Sequence, residues 1–396
     1  MKRNLLLVIP LLLLISCNEV DKGDENNMQE LSTSVENSIE NSIENSIEKS
    51  IVSSQESNEK EDTIRFELDK LGDNVMIHTD LQEQYLKDSN FKDTSAYVDA
   101  KSENSRSQII TLNFKVEGNV SDIYTLYLSE NEDMSNPLIK ESKEQKFEIK
   151  NLKIHTRYYW QIKVDNILSK IATFKTSDTS IRNLNIDSIP NVRDIGGLNT
   201  TNGATIKQGL VYRSYALTYN NSGARIISDK GIEELRELGI KSEIDLRGAS
   251  ENENGGITKS VLGDDVKYYH CPMGYYNLLV SNKEQVAKVF EIIANPDNLP
   301  TIIHCAGGTD RTGMIAYLLN SLLSVTEEDL GRDYMFSNFY HSNDPRVYTN
   351  LTSGDFFSMV ANADGKNQMS RTYNTLVSQG VNSENLDAII DYFLEK

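Results

Sequence analysis

A cysteine and an arginine stand six positions apart, at Cys305 and Arg311, and the residues between them are small or polar. An apolar run typical of a strand precedes the cysteine, and a helix-like run follows the arginine. A strand, a tight loop and a helix in this order form an anion cradle, because backbone N–H groups and the helix dipole converge there. Gly307 and Gly308 allow the loop to bend without a Cβ penalty. The spacing therefore predicts a binding site for an anionic group.

The same cradle favours nucleophilic chemistry at its cysteine. A free thiol titrates near ~8.5, and a helix N-terminus with a nearby arginine can bring a thiol to ~3.5–7.5. A thiolate is a good nucleophile, and Arg311 offers a planar fork of donors that matches two phosphate oxygens. We therefore expect Cys305 to attack a phosphate ester and to form a phosphocysteine intermediate that water hydrolyses. Because the amides and Arg311 neutralise the charge, we expect no metal or organic cofactor.

Four blocks of the sequence resemble the bacterial tyrosine/serine family of cysteine-dependent phosphatases. The first block, residues 304–313, has the pattern His-Cys-x-x-Gly-x-Asp-Arg-Thr-Gly. The other blocks are Asn-Val-Arg-Asp-Ile-Gly-Gly at 191–197 with Arg213-Ser214, Ile-Asp-Leu-Arg at 244–247, and Asp333-Tyr334 with Ser337-Asn338. The resemblance implies that residues 181–396 form an α/β phosphatase domain with a central sheet flanked by helices.

The resemblance also suggests roles for individual residues. A general acid must protonate the leaving oxygen and then activate water, and Asp310 is the first candidate. Asp245 is the second, because it ends a predicted strand and ligand sites in α/β sheets lie at that edge. Arg247 either fixes Asp245 or touches substrate, and Thr312 resembles the hydroxyl that hydrogen-bonds the departing thiolate. The remaining expected substrate-binding residues belong to the loop and are Ala306, Gly307, Gly308 and Thr309.

Thr309 departs from the family, which usually has a lysine here that is associated with extra negative charge on the substrate. The departure favours phosphotyrosine, so the sequence predicts a protein-tyrosine phosphatase that acts on a phosphorylated protein. One alternative is a phosphatase of phosphoinositides or inositol phosphates, some of which the family also cleaves. Another is a catalytically weak lipoprotein that binds phosphoryl groups or serves in adhesion.

Composition and cysteine usage exclude several other classes of protein. The 396 residues predict two or three domains, and the net charge of −19 argues against nucleic-acid binding and against docking on anionic lipid. The sequence has no Cys-x2-Cys pair and no His-Glu-x-x-His, so it predicts no metal site.

The amino-terminal residues predict an extracytoplasmic location. Residues 1–16 combine Lys2 and Arg3 with an apolar run too short to span a membrane, which indicates a secretory signal. Residues 14–17 resemble a bacterial lipobox, so we expect Cys17 to carry lipid and to anchor the chain to a bacterial membrane. Residues 17–60 form an acidic, low-complexity tether with Glu-Asn-Ser-Ile repeats.

Residues 94–178 are predicted to form a small all-β sandwich of fibronectin III or immunoglobulin type, whereas residues 61–93 remain unassigned. Tyr158, Trp160, Ile162 and Val164 alternate with polar or exposed positions, which is a strand period. The residues around Tyr158 resemble the tyrosine corner of fibronectin type III modules. In the phosphatase domain, helices are predicted at 229–238, 283–294, 312–323, 327–336, 367–378 and 383–395. Residues 340–365 show few helix signals and are predicted to be a lid or a surface loop.

Overall fold

The computed structural model describes residues 64–395 apart from 100–101, 119, 221–223, 253–256, 275–277 and 341–344. The chain divides into two units, 1–65 and 66–396, and the following account is restricted to the described residues, nearly all of which belong to the second. The predicted signal segment, Cys17 and the acidic tether lie outside the described residues. Across the part of the chain that the structure describes, no helix has the length and apolarity needed to cross a membrane.

Two β-sheets occupy residues 65–176. Their strands are β1 (Arg65–Leu68), β2 (Gly72–Val75), β3 (Ile110–Glu117), β4 (Tyr124–Ser129), β5 (Leu138–Ser142), β6 (Lys146–Ile149), β7 (Arg157–Val164), β8 (Ile167–Leu168) and β9 (Ala172–Thr176). One sheet has the order β1-β3-β6, and the other has the order β2-β9-β7-β4-β5 with β8 paired to β7. Phe114 of the first sheet meets Tyr124 of the second edge-to-face at 5.2 Å between ring centroids, so the sheets share buried residues.

Strand β7 shows the alternation that its sequence predicts. Every second residue from Tyr158 to Val164 is buried, and Trp160 has no exposed surface. The Tyr158 hydroxyl accepts a hydrogen bond from the backbone N–H of Lys153 at 2.8 Å. The assignment of these sheets to the fibronectin III type stays a prediction.

A helix that the sequence left unassigned, α1 (Asp80–Lys87), lies between β2 and β3. Its N-terminus is closed by a capping box, in which Thr79 and Gln82 each accept from the other's backbone N–H at 3.4 and 3.0 Å. Asp80 in the first turn and Lys87 in the last complement the helix dipole. Its Tyr85 is fully buried in the hydrophobic core of the α/β domain that follows, rather than between the two β-sheets.

The α/β domain is built on a five-stranded sheet whose order is β10-β11-β14-β12-β13. The strands are β10 (Arg193–Asp194), β11 (Val211–Ser214), β12 (Ser242–Asp245), β13 (Lys267–His270) and β14 (Thr301–His304). β14 is central and parallel to both neighbours, whereas β10 runs antiparallel at one edge. The carboxyl ends of four parallel strands therefore meet at one edge, where ligand sites of such sheets lie. The expected α/β class is confirmed.

Nine further helices are described in this domain. They are α2 (Asp229–Glu237), α3 (Ala249–Asn252), α4 (Lys283–Ala294), α5 (Asp310–Leu322), α6 (Glu327–Phe336), α7 (Tyr348–Thr352), α8 (Asp355–Asn362), α9 (Gln368–Ser378) and α10 (Ser383–Phe393). All six predicted helices are confirmed, with ends that differ by at most two residues. Residues 340–365, which show few helix signals and were predicted to be a lid or a surface loop, contain α7 and α8. Apolar residues of α8, including Phe356, pack onto Tyr317 of α5.

Helix α5 is buried along its whole length. A helix without a polar face belongs in the interior of a domain. Its residues join the main hydrophobic core together with α4, α6 and the central strand. The start of α5, immediately after β14, is therefore held rigidly from several sides.

Candidate active site

The loop that joins β14 to α5, residues 305–309, is called the cysteine loop below. Gly308 has φ of +69°, and a Cβ on it would lie 2.1 Å from the carbonyl oxygen of Ser214. A Cβ on Gly307 would lie 2.6 Å from the Tyr340 hydroxyl. Gly308 is therefore required by the close packing of the loop against β11, whereas Gly307 lies against the Tyr340 hydroxyl. Cys305 lies at the start of the loop and is 3% exposed.

The carbonyl groups of the cysteine loop are bound by side chains outside it. Arg213 donates to the carbonyl oxygens of Gly308 and Thr309 at 2.8 and 3.2 Å, and Asn191 donates to that of Gly307 at 3.0 Å. A trans peptide carries its N–H opposite its C=O. The N–H groups that follow these carbonyls therefore point away from Arg213 and Asn191, as an anion cradle requires.

The side chain of Asp333, in the fourth sequence block, binds two arginines of the second block. It accepts from Arg193 Nε at 2.8 Å and from Arg213 Nη1, and both arginines are fully buried. Burial lowers the pKa of Arg193 to about 10, with Arg213 acting in the same direction and Asp333 against it. Burial also opposes ionisation of Asp333, but the two arginines outweigh it and lower the pKa of this carboxyl group. Arg193 further donates to Ser337 Oγ at 2.9 Å.

Arg311, at the start of α5, is held by a carboxylate that sequence reasoning missed. Its two terminal nitrogens donate to the two carboxylate oxygens of Glu251 in α3 at 2.5 and 3.0 Å. Burial opposes ionisation of Glu251, yet Arg311 and the backbone N–H of Gly248 outweigh burial and lower its pKa. The only available signal was a carboxylate four residues after Arg247 and close to a strand end.

Asp310 opens α5 and is 8% exposed. Its carboxylate accepts from the Tyr334 hydroxyl at 2.7 Å and from Arg346 at 2.9 Å. Tyr334 belongs to one of the blocks that resemble the phosphatase family, whereas no motif indicated Arg346. The structure therefore brings Asp310 and Arg311 together at the helix start, beside the cysteine loop.

Asp245 and Arg247 form a closed buried pair. Asp245 accepts from Arg247 at 2.6 Å, and from Asn252 and Tyr268 at 2.9 Å each. Burial opposes its ionisation, but His304 and Arg247 outweigh burial and hold its pKa well below the usual range. Arg247 also donates to the carbonyl and hydroxyl oxygens of Thr218 at 2.8 and 2.9 Å.

This geometry argues against two of the predicted roles. Asp245 and Arg247 have no exposed surface. A carboxyl group whose pKa is strongly lowered holds no proton near neutral pH, so it is a poor general acid. The contacts of Arg247 with Asp245 and Thr218 favour the first alternative, that it fixes Asp245, and its role stays a prediction.

His304 and the two threonines near the loop are also buried. His304 Nε2 lies 2.9 Å from Glu243 Oε1, and Nδ1 lies 3.7 Å from Asp245 Oδ1. Burial opposes a charged imidazole, but Asp245 and Glu243 outweigh burial and raise the pKa of His304.

Thr309 Oγ1 donates to the Gly307 carbonyl at 3.3 Å. Thr312 Oγ1 is buried and has no hydrogen-bond partner within the described part of the chain.

A buried cysteine after the central parallel strand, a loop whose carbonyl groups are bound from outside, and an arginine at the start of the next helix form the arrangement expected of a cysteine-dependent phosphatase. Residues 184–396 match the model of the Tyrosine phosphatase family. Since this match covers more than half of the chain, the protein belongs to that family.

Two curated relatives carry names that agree with the family. A Cupriavidus necator protein named "Putative tyrosine-protein phosphatase" is 26% identical over 180 residues, which are 39% of this chain and 63% of the relative. A Nostoc commune "Tyrosine-protein phosphatase" is 28% identical over 140 residues, 30% of this chain and 48% of the relative. The chain therefore spans only about half to just under two thirds of the length of these relatives.

Solved structures give weaker likenesses. The core catalytic domain of the PP-IP phosphatase Siw14 from S. cerevisiae is 22% identical, covers 38% of this chain and 79% of its own, and has a TM-score of 0.26. P. aeruginosa TpbA is 13% identical, covers 46% of this chain and 87% of its own, and has a TM-score of 0.25. Both scores are low, and the family assignment rests on the family match alone.

Proposed function

We propose that the chain is a protein-tyrosine phosphatase that hydrolyses phosphomonoesters through a phosphocysteine intermediate. The observation that carries this proposal is the geometry of the cysteine loop. Arg213 and Asn191 donate hydrogen bonds to carbonyl groups of this loop. The backbone N–H groups on the opposite side of these peptides are therefore available to bind an oxyanion. Arg311 is held in place by Glu251 beside the same loop. Preorganised donors of this kind stabilise the charge that develops in phosphoryl transfer.

The reaction proceeds in two balanced steps. In the first, the Cys305 sulfur attacks phosphorus, the bond from phosphorus to the ester oxygen breaks, and Asp310 gives its proton to that oxygen. In the second, water attacks phosphorus, Asp310 takes the proton from water, and the sulfur–phosphorus bond breaks to release phosphate. Arg311 and the loop amides hold the phosphoryl oxygens throughout. The Thr312 hydroxyl, which is buried without a partner among the described residues, donates to the departing thiolate.

Asp310 is preferred over Asp245 as the general acid. It adjoins the phosphate-binding arginine, and Tyr334 and Arg346 fix its carboxyl group. Asp245 is instead closed off by Arg247, Asn252 and Tyr268.

Two tyrosines beside the cysteine loop support phosphotyrosine as the substrate. Tyr215 and Tyr340 pack edge-to-face with ring centroids 5.9 Å apart, next to Gly307. Aromatic side chains provide apolar, edge- and face-specific surface for the ring of an aryl phosphate. Phosphoinositides or inositol phosphates are the second candidate, favoured by Arg346, whose partly exposed side chain adds positive charge near Asp310.

We further propose that the chain is an extracytoplasmic lipoprotein anchored to a bacterial membrane through Cys17. The charge and length of residues 1–16 and the lipobox-like residues 14–17 support this proposal. We also propose that the sheets before the catalytic domain are a fibronectin III-like module. The hydrogen bond from the backbone of Lys153 to the Tyr158 hydroxyl supports that type, because a tyrosine corner has such a bond.

The test is phosphate release by the full-length chain in the presence of a chelator, on phosphotyrosine peptides, phosphoserine peptides and phosphoinositides in parallel. Cys305→Ser should abolish turnover and leave the fold and phosphate binding largely intact. Cys271→Ser is the matched control, because burial raises the pKa of the Cys271 thiol to about 12 and it should keep turnover.

Each outcome decides between the candidates. Activity of Cys305→Ser within about tenfold of wild type would refute the nucleophile, since loss of a nucleophile costs far more. The preferred substrate would distinguish phosphotyrosine from inositol lipids. Tungstate binding without turnover on any substrate would indicate a phosphoryl-binding protein instead.

A further inference from the structure

A segment between β2 and β3 packs against residues that surround the cysteine loop. This segment, residues 79–107 without the undescribed 100–101, is called the strap below. It lies outside residues 184–396, which the family model matches. Tyr85 of the strap is buried against Phe339, with ring centroids 5.5 Å apart. Arg332 of α6 donates to the strap carbonyls of Leu86 and Asp88 at 3.2 and 3.0 Å. The strap therefore contributes to the hydrophobic core of the phosphatase domain.

One hydrogen-bond relay runs from the strap to the cysteine loop. The Ser105 hydroxyl accepts from the backbone N–H of Asn191 at 2.8 Å and donates to Glu103 at 2.6 Å. Asn191 has φ of +59°, a left-handed conformation that needs support from its surroundings in a residue other than glycine. The Asn191 side chain in turn donates to the Gly307 carbonyl. Ser105 thus fixes the residue that orients the loop.

A second relay runs from the strap to the candidate general acid. The Thr94 hydroxyl accepts from the Asn338 side-chain amide at 2.8 Å, and both groups are buried. Asn338 holds the backbone of Arg346 by two bonds, to its N–H and its carbonyl, at 2.8 Å each. The guanidinium of Arg346 then donates to Asp310. Thr94 therefore orients the amide on which the position of Arg346 depends.

We propose that Ser105 and Thr94 are positioning residues of the active site, Ser105 for the phosphate-binding loop and Thr94 for the general acid. The proposal rests on the proposed function, since it assumes that Asp310 protonates the leaving group. The two relays have different chemical consequences. Loss of the first disturbs oxyanion binding for every substrate. Loss of the second disturbs proton transfer, which matters most for substrates whose leaving group is strongly basic.

The first arm of the test uses two aryl phosphates and the full-length chain. Phenyl phosphate needs protonation of its leaving oxygen, whereas 4-nitrophenyl phosphate has a leaving group that departs as the anion. Thr94→Val keeps the side-chain volume and removes the acceptor. We expect kcat on phenyl phosphate to fall roughly five- to tenfold, about the effect of one lost hydrogen bond, with little change on 4-nitrophenyl phosphate. Asp310→Asn should show the same selectivity more strongly, and Thr94→Ser should restore wild-type rates.

The second arm measures binding without turnover. Ser105→Ala should weaken the binding of tungstate, a noncovalent oxyanion, by roughly fivefold or more in titration calorimetry. Ser107→Ala is the matched control from the same strap, because the Ser107 hydroxyl is buried without a hydrogen-bond partner among the described residues. It should bind tungstate as the wild type does. Ser105→Cys, whose thiol is a poor acceptor, replaces Ser105→Ala if that variant does not fold.

The outcomes separate this inference from the proposed function. If Thr94→Val slows both substrates equally or neither, or if Ser105→Ala binds tungstate as Ser107→Ala does, the positioning roles are wrong. A wild-type chain that hydrolyses neither aryl phosphate would refute the proposed function and the role of Thr94 with it. Tungstate binding would still decide the role of Ser105 in that case.

Discussion

Replacement of Asp333 by asparagine should destabilise the protein and disable its active site together. Asp333 is the shared acceptor of two fully buried arginines, Arg193 and Arg213. In Asp333→Asn one carboxylate oxygen becomes an amide group, which donates rather than accepts. One arginine then faces a donor in the interior, and both lose the opposite charge that balances them.

The magnitude follows from the burial of this cluster. Removal of one partner from a buried ion pair costs about 3–5 kcal/mol, because it leaves an uncompensated buried charge. Domains of ordinary stability unfold with about 5–15 kcal/mol, so the variant should remain folded with a small margin. Arg213 also binds the carbonyls of Gly308 and Thr309. We therefore expect kcat/KM to fall by about tenfold or more, since loss of even one such hydrogen bond to a charged group costs about 1.5–3 kcal/mol.

Urea denaturation at several pH values tests this reasoning. Since the pKa of Asp333 is lowered by folding, its stabilising effect is present above the unfolded carboxyl pKa of about 3.9. The effect is lost as the pH falls through the lower folded pKa. The stability gap between wild type and Asp333→Asn should therefore be full at pH 7 and narrow below about pH 4.

The matched control is Asp265→Asn, which changes an exposed aspartate that also pairs with an arginine, Arg236, at 2.8 and 2.9 Å. Surface pairs of this kind contribute little, so its urea midpoint should equal that of the wild type. A gap for Asp333→Asn below about 1 kcal/mol at neutral pH would refute the argument that burial makes this pair costly to break. A gap that stays constant from pH 7 to pH 3 would refute the assignment of the effect to the carboxylate charge.

Three further variants test the cysteine loop and two residues next to it in the active site. Glu251→Gln should lower kcat/KM on 4-nitrophenyl phosphate by about tenfold, because the arginine loses a charge-assisted partner. Gly308→Ala should abolish turnover, since its Cβ would overlap a backbone carbonyl, whereas Gly203→Ala, with φ of +86° and open space around it, should remain active. Thr312→Val should leave the melting temperature unchanged and slow release of phosphate from the enzyme about fivefold, the worth of one hydrogen bond. That change would appear as a burst of nitrophenolate in stopped-flow measurements.

The conformation of the cysteine loop was predictable because the strand, loop and helix are adjacent in the sequence. A strand, a glycine-containing turn and a helix follow one another within a short stretch, so their relative geometry is set by backbone rules. The periodic helices were predictable for the same reason, as α4 and α6 show with their predicted bounds. The α7 and α8 helices were missed because each is short and held mainly by packing, as Phe356 against Tyr317 shows.

The partners of the loop were not predictable, because they come from distant parts of the chain. Glu251 pairs with Arg311 across 60 positions, and its place shortly after Arg247 does not identify which residue it binds. The sequence could not show whether Asp245 and Arg247 pair with each other in the interior or face the substrate, because their residue types and spacing are compatible with both arrangements. The difference depends on hydrogen bonds from distant residues: Thr218 binds Arg247 and Tyr268 binds Asp245, so both side chains are buried.

The strap shows why a match to a family does not delimit the part of a chain that performs the chemistry. The matched residues contain the cysteine, the arginine and both candidate acids. Yet Asn191 and Asn338, which belong to the matched residues, satisfy their amides with acceptors on Ser105 and Thr94. A buried amide without its acceptor costs free energy, so the matched region alone would leave polar groups unpaired directly behind the active site. The proposed functional unit therefore includes the strap together with the matched residues.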